Sequence, residues 1–291
     1  MISGAFDPAG ADPAGADPAE ADRAPTSAAA RLVAAWDAQQ AALVNRREDR
    51  FSTVVDLVVR MLISRAEAPT ASALTVLDLG CGPGSLSARV LERLPGIHVI
   101  GVDYDPALLH LAATHLAEAY PRRFHPLDSD LAGCGWAEAV AALLSAEALP
   151  PIGAVVSSTA LHWLHPAQLV DVYTRAAGLL PAGGLLLDAD HLRYDSVAEP
   201  FLSAAAAADD LATQTRDQAA GALTWDQWWE ELAGVPEFAC HLAERARRFA
   251  DRPPTPPAPL AFHLAALTCA GFSEAAPVWR YLDDVIVCGV R

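Results

Sequence analysis

Between Val76 and Gly84 the chain reads Val-Leu-Asp-Leu-Gly-Cys-Gly-Pro-Gly, an apolar run that ends in three glycines at alternate positions. A helix-forming segment, Leu86 to Leu94, follows at once, so the passage predicts a strand, a tight loop and a helix. Glycine at every second position removes Cβ atoms where the backbone turns sharply and where a ligand approaches the main chain. The next apolar run, Ile97 to Val102, reads as a second buried strand and ends at Asp103. A carboxylate at that strand tip accepts hydrogen bonds from both hydroxyls of a ribose, which points to a nucleoside-containing ligand.

The glycine spacing narrows the ligand further. A dinucleotide loop is written G-x-G-x-x-G and seats a pyrophosphate on the helix N-terminus. Here the order is G-x-G-x-G, with Ser85 where the last glycine of that pattern would stand. Asp78 precedes the loop, where a carboxylate repels a pyrophosphate but helps hold an ammonium group, directly or through water. These residues favour a cationic nucleoside.

Both motifs resemble those of the class I S-adenosylmethionine-dependent methyltransferases, with Val76 to Gly84 as the first motif and Asp103 as the acidic ribose ligand. The resemblance runs in order through residues 74 to 190. It takes in the acidic end of a third strand at Asp128 or Asp130, a fourth strand from Gly153 to Thr159, and the turn Leu180-Pro181-Ala182-Gly183-Gly184 before a fifth strand. It implies an α/β fold with a Rossmann-like, doubly wound seven-stranded sheet, mostly parallel with an antiparallel last strand, and S-adenosyl-L-methionine as the cofactor. By the same resemblance the backbone at Gly80, Cys81, Gly82 and Gly84 holds the methionine part, Asp103 the ribose, and Tyr104 packs against the adenine. Of the two third-strand acids, Asp130 followed by Leu131 is closer to the family pattern near the adenine amino group. Ser157 at the fourth-strand exit joins the candidate contacts. In the C-terminal half the arrangement is diffusely similar to small-molecule enzymes of the trans-aconitate methyltransferase type.

Composition bounds the partners. A chain of 291 residues with 53% hydrophobic content and 19% charged residues can bury one large core, or one core with a modest appendage. A formal net charge of −16 opposes nucleic acid and anionic membranes, so a small-molecule substrate is expected. Cys81, Cys134, Cys240, Cys269 and Cys288 form no C-x-x-C pair and fall in segments that read as buried, consistent with reduced thiols in the cytoplasm. No run approaches the roughly 18 apolar residues of a membrane span, and the N-terminus lacks a basic region followed by an apolar stretch. Oligomeric state is left open.

Along the chain, residues 1–26 repeat an Asp/Pro/Ala/Gly pattern that cannot offset its ordering entropy, and a disordered tail is expected there. Residues 27–291 form the methyltransferase domain in this reading. It comprises N-terminal helices at 27–66, a cofactor-binding core at 74–190, a helical insertion or lid at 191–259 between strands 5 and 6, and a closing helix and strands at 260–291. The charged stretch Asn45 to Phe51 reads as a solvated turn of helix. Arg245, Arg247, Arg248 and Arg252 read the same way. Trp225, Trp228 and Trp229 share a helix face that either covers an aromatic substrate or docks the lid on the core.

Methyl transfer from a sulfonium needs a nucleophile about 3 Å from the methyl carbon with water excluded, so positioning supplies much of the rate. The fourth-strand exit, Ser157 to Pro166, lacks the Asp/Asn-Pro-Pro-aromatic pattern of enzymes that methylate exocyclic nucleic-acid amines. An oxygen or carboxylate acceptor is therefore expected. His162, His165 and His191 are the available general bases. His191, directly after the fifth strand, is the preferred candidate; His162 is read first as packing beside Trp163, and His165 before Pro166 as a helix start. Asp188, Asp190 and His191 suggest a metal site, but no Asp-Asn pair completes the ligand set and none is expected. Two further readings use the same pocket, a non-methylating reaction and a non-catalytic module that binds the cofactor.

Overall fold

A computed structural model describes residues 27–66, 74–252 and 254–291, so the predicted tail at 1–26 lies outside the described residues. Ser27 caps α1 (Ala28–Leu43) by accepting the Ala30 N–H. After a short turn, α2 (Arg47–Ala66) buries Phe51, Val54, Val55, Val58 and Met61. Strands and helices then alternate: β1 (Thr75–Leu79), α3 (Ser85–Arg93), β2 (His98–Asp103), α4 (Pro106–Ala119), β3 (Phe124–Asp128), α5 (Trp136–Ala146), β4 (Ile152–Ser158), α6 (Pro166–Leu179) and β5 (Leu185–His191). The insertion supplies α7 (Pro200–Ala219), α8 (Trp225–Ala233) and α9 (Ala239–Phe249), and α10 (Leu260–Cys269), β6 (Glu274–Tyr281) and β7 (Asp284–Val290) close the fold.

The seven strands lie in the order β3-β2-β1-β4-β5-β7-β6. The first five are mutually parallel, and β7 enters antiparallel beside β5 and pairs antiparallel with β6. Strand order reverses between β1 and β4, and at such a switch point a crevice opens beyond the carboxyl ends of the strands. Alternate residues of each strand feed opposite faces of the sheet. Leu77, Leu79, Ile100, Val155 and Leu186 pack with α5, α6 and α10, whereas Val76, Val99, Ala154, Val156 and Leu187 pack with α2, α3 and α4. A third apolar cluster joins Leu32, Val33 and Trp36 of α1, Leu108 and Leu111 of α4, and Trp228 and Leu232 of α8.

Two sequence expectations change, for the charged stretch and for the cysteines, and one open alternative, for the tryptophans, is decided. The stretch from Asn45 to Phe51 is only half solvated: Asn45 and Arg47 are buried and Arg50 is fully so, because positions 47, 50, 54 and 58 fall on the helix face turned to the sheet. The tryptophan face docks the insertion on the N-terminal helices. Trp228 is fully buried, donates its indole N–H to the Leu32 carbonyl at 3.0 Å and meets Trp36 edge-on at 4.6 Å between centroids. Of the cysteines only Cys81 and Cys288 are buried; Cys134, Cys240 and Cys269 are exposed, and all five are free. Among the described residues no helix is long and apolar enough to cross a membrane.

Candidate active site

The glycine loop is held to β2 by its own backbone. Gly80 and Cys81 both donate N–H groups to the Val102 carbonyl, at 2.8 and 3.1 Å. Gly80 has φ +69°, and a Cβ there would run into Ala160 just beyond β4. Gly84, at φ +85°, starts α3 where a Cβ would come 2.7 Å from Leu116. Only glycine allows both the left-handed turn and the close packing at these two places. Gly82 has open space where a side chain would stand, which leaves room beside the loop.

Asp103 binds the loop as well as facing it. Its Oδ2 accepts the Gly82 N–H at 2.6 Å and its Oδ1 accepts the Asp105 N–H at 2.7 Å. Burial pushes its carboxyl up to about 6, against the pull of those backbone donors. Asp78, one strand across, accepts the Ser87 hydroxyl at 2.6 Å, and burial pushes it up to about 7. Two neighbouring carboxyls, Asp78 buried and Asp103 half-buried, both pushed up by desolvation, suit a cationic nucleoside, whose positive charge would favour their ionised forms. The residues present therefore fit a sulfonium nucleoside, with Gly80 to Gly84 at its backbone and Asp103 at its sugar.

The other predicted contacts lie at or just beyond the ends of β2, β3 and β4. Tyr104 sits beside Phe249, 5.6 Å between ring centroids, and below the Arg248 guanidinium at 4.9 Å. Asp130 closes a turn by accepting the Ala132 N–H at 2.8 Å, and Leu131 is buried in the core. Asp128 presents both carboxylate oxygens to Arg248, at 2.6 and 2.8 Å. Ser157 spends its hydroxyl on the Leu79 carbonyl at 2.8 Å, tying β4 to β1 beneath the loop.

Arg248 and Arg245 correct the reading of the α9 arginines as a solvated face. Arg245 donates to Asp105 at 2.6 Å and stacks 3.8 Å over Trp229, while Arg248 also donates to the Tyr104 carbonyl at 2.9 Å. Arg247 keeps the expected role, exposed and paired to Glu244 on its own helix. α9 is thus pinned to the outer edge of the Asp103 end of the crevice.

Beyond β4 and β5 lies a cavity of about 250 Å³, walled by His162, His191, His263, Arg193 and Thr255, with Leu164, Leu169, Leu192 and Pro256 among its apolar lining. His162 sits in a one-turn 3₁₀ helix, Leu161–Trp163, and its Nδ1 lies 2.8 Å from Asp190 Oδ1. A carboxylate can only accept, so Nδ1 carries the proton and Nε2 of neutral His162 is the lone-pair nitrogen. Burial would lower this imidazole, but the charge of Asp190 and the hydrogen bond to it raise it above its ordinary value. Burial would likewise raise Asp190; its coupling to His162 instead holds it well below the usual carboxylate range.

His191 stands opposite, its Nδ1 2.6 Å from Asp284 Oδ1. The same carboxylate oxygen receives Arg50 at 2.9 Å. Arg50 also donates to the Ala189 carbonyl at 2.6 Å, to Thr159 Oγ1 at 3.1 Å and to Ser158 Oγ at 3.3 Å. One fully buried guanidinium thereby knits the ends of β4, β5 and β7 together, and holds Thr159 at φ +55°, a conformation a β-branched residue rarely adopts. Tyr173 donates its hydroxyl to Asp188 at 2.7 Å and lies 2.7 Å from Nδ1 of His263.

Arg50, the His162–Asp190 pair and Arg248 are what sequence reasoning missed. Arg50 precedes Val54 by four residues on an apolar face, a signal present but outweighed by its charged neighbours. The other two join positions 28 and 120 residues apart, and nothing local announces them.

Comparison with known proteins bears on the family and the fold. Residues 77–186 match the methyltransferase domain family. Over 205 residues the chain is 30% identical to a trans-aconitate 2-methyltransferase of Methylobacterium nodulans, an alignment covering 67% of each protein. A stretch of 113 residues is 37% identical to an uncharacterized methyltransferase of Mycobacterium tuberculosis, covering 38% of this chain and 47% of that one. Among solved structures, an O-methyltransferase family protein from Burkholderia thailandensis matches with a TM-score of 0.50 at 19% identity, over 91% of this chain and 73% of that one.

Proposed function

Since the chain belongs to the class I S-adenosylmethionine-dependent methyltransferases, we propose that it methylates an oxygen atom of a small molecule seated in the His162 cavity. S-adenosylmethionine supplies an electrophilic methyl group on a positively charged sulfur. Gly80, Cys81, Gly82 and Gly84 would hold its amino-acid part, with Asp78 near the ammonium and Asp103 on the ribose. Tyr104, Asp130 and Leu131 would form the adenine end. Asp130 takes the amino group, since both oxygens of Asp128 are engaged by Arg248.

The observation that carries the acceptor assignment is the His162–Asp190 pair, 2.8 Å apart, with His162 lining a cavity at the carboxyl end of the sheet and Asp190 buried behind it. Asp190 fixes the imidazole so that Nε2 receives a hydroxyl proton, and His162 replaces His191 as the preferred base. His191 takes a second position on the cavity wall, its Nδ1 2.6 Å from Asp284 Oδ1. Enclosure by Leu164, Leu169 and Leu192 keeps water from the reacting oxygen.

The test is transfer of isotope-labelled methyl from S-adenosylmethionine to oxygen acceptors, followed across pH. Activity rises with pH on a limb centred above about 6.5, the ordinary imidazole value, because neutral His162 is the active form. His162→Gln removes that limb and lowers turnover by about a hundredfold or more, while binding of S-adenosylhomocysteine is retained. A variant with unchanged turnover and profile would rule out the base assignment.

A further inference from the structure

Resting on the reading of the His162 cavity as the acceptor site, we propose that its acceptor is an electrically neutral hydroxyl compound with an apolar body, an alcohol or a phenol, and not a polycarboxylate.

The charges around the cavity come already matched. Arg193 lies 2.8 Å from Asp210 and 3.0 Å from Asp283. His162 faces Asp190, His191 faces Asp284 at 2.6 Å, and His263 lies 3.5 Å from Asp188. Arg50 spends its charge on Asp284. Behind the walls stand five carboxylates, Asp188, Asp190, Asp210, Asp283 and Asp284, against two permanent cations, Arg50 and Arg193. Four of those carboxylates are buried, where water screens their field weakly. A substrate with two or three negative charges would enter a field of its own sign, in a protein of net charge −16. Among the described residues, Arg193 is the one permanent cation in the cavity lining and is already doubly paired, while Arg252, outside that lining, rests on the Trp163 carbonyl at 3.5 Å and over the Phe249 ring.

The chemistry of the wall points the same way. A carboxylate is ionised at neutral pH and attacks without help, so a site built for it needs a cation and no base. A hydroxyl titrates well above neutrality and needs an acceptor for its proton. His162, backed by a buried aspartate, is that acceptor. In the step, the O–H bond breaks and its proton passes to Nε2 of His162. The oxygen electron pair forms the bond to the methyl carbon, and the carbon–sulfur electron pair leaves with the sulfur. The remaining lining is apolar, with Leu164, Leu169, Leu192, Pro256, Pro257 and Ala258 around a space of about 250 Å³. Trp163 is 56% exposed at the rim, an aromatic surface for a ring to meet.

The experiment uses the full-length protein saturated with S-adenosylhomocysteine, whose binding is measured first by calorimetry. Histidine ring signals are followed by NMR while 2-naphthol or trans-aconitate is added, and labelled methyl transfer to each is measured separately. The expected result is that 2-naphthol shifts the His162 and His191 signals and accepts methyl, and that trans-aconitate does neither. His162→Gln then reduces transfer to naphthol by about a hundredfold or more while naphthol still binds. Naphthol that leaves the histidine signals unmoved, or trans-aconitate that shifts them or is methylated, overturns the proposal. Methylation of trans-aconitate would leave O-methylation standing and sink only the neutral-acceptor claim. Loss of S-adenosylhomocysteine binding would strike the cofactor assignment instead.

Discussion

Replacing Arg50 with methionine keeps an unbranched apolar stem at this buried position and removes the guanidinium with its charge and donors. In the native protein that guanidinium is fully buried and serves Asp284 at 2.9 Å, the Ala189 carbonyl at 2.6 Å and Thr159 at 3.1 Å. The variant takes the guanidinium from a carboxylate that is 1% exposed and leaves it beside the His191 imidazole at 2.6 Å. Removing one member of such a pair costs about 3–5 kcal/mol, chiefly as the desolvation of the charge left behind. The Ala189 carbonyl keeps the Thr159 N–H at 3.0 Å, so the backbone adds little. For a chain of this size the loss corresponds to a fall in Tm of roughly 10 °C. Urea unfolding of Arg50→Met, Asp284→Asn and the double variant closes a thermodynamic cycle. The double variant should be more stable than the sum of the single losses predicts, by about 1–3 kcal/mol of coupling, because it leaves no charge unpaired. Strict additivity, or a single-variant loss below about 1 kcal/mol, would refute the claim that this pair clamps the strand ends.

Three shorter predictions concern the cofactor end. Asp103→Asn turns an amide N–H toward one of the two backbone donors it now accepts, at 2.6 and 2.7 Å, and weakens its hold on a ribose. S-adenosylhomocysteine affinity should fall by about 2–4 kcal/mol, or roughly thirtyfold to a thousandfold; calorimetry showing less than about a threefold change would contradict the assignment. Asp78 and Asp103, raised to about 7 and about 6, bind protons in the folded state that they have released in the unfolded chain above about 4. Their contribution to stability is therefore complete below about pH 4 and is lost as pH rises through 6 to 7. S-adenosylmethionine selects the ionised forms, so its binding should release protons, read from calorimetry in buffers of different ionisation heat; Asp78→Asn should shrink that release. Arg248→Ala frees Asp128 and the Tyr104 carbonyl, and should weaken cofactor binding about twofold to fivefold, as expected of a partly exposed ion pair, with the effect fading in high salt.

Much of the fold is legible in the sequence because its signals are local. The glycine loop, the apolar strands and the acid at the tip of β2 each lie within a few residues of one another, and sheet pairing follows from their order. The cofactor end inherits that locality, since Gly80 to Gly84 and Asp103 are consecutive features of one βαβ unit. The proposed acceptor end does not. His162 gains its character from Asp190, His191 stands beside a carboxylate on β7, and Arg50 reaches the same carboxylate from 234 positions away. A charged stretch such as Asn45 to Phe51 offers no local mark separating Asp49, in water, from Arg50, in the core. Tertiary desolvation alone makes that distinction.

The seam where Trp228 lodges against Leu32 and Trp36 has an architectural consequence. Roof and foundation here are a single casting, a small helical knot that rides on α4 at one border of the sheet. Trimming residues 191–259 in search of a minimal catalyst would lay Leu32, Trp36 and Leu108 bare at the same stroke. Shortening the amino-terminal side past Leu32 would unmoor the roof from the opposite direction. Any remodelling of one half has to carry the other with it.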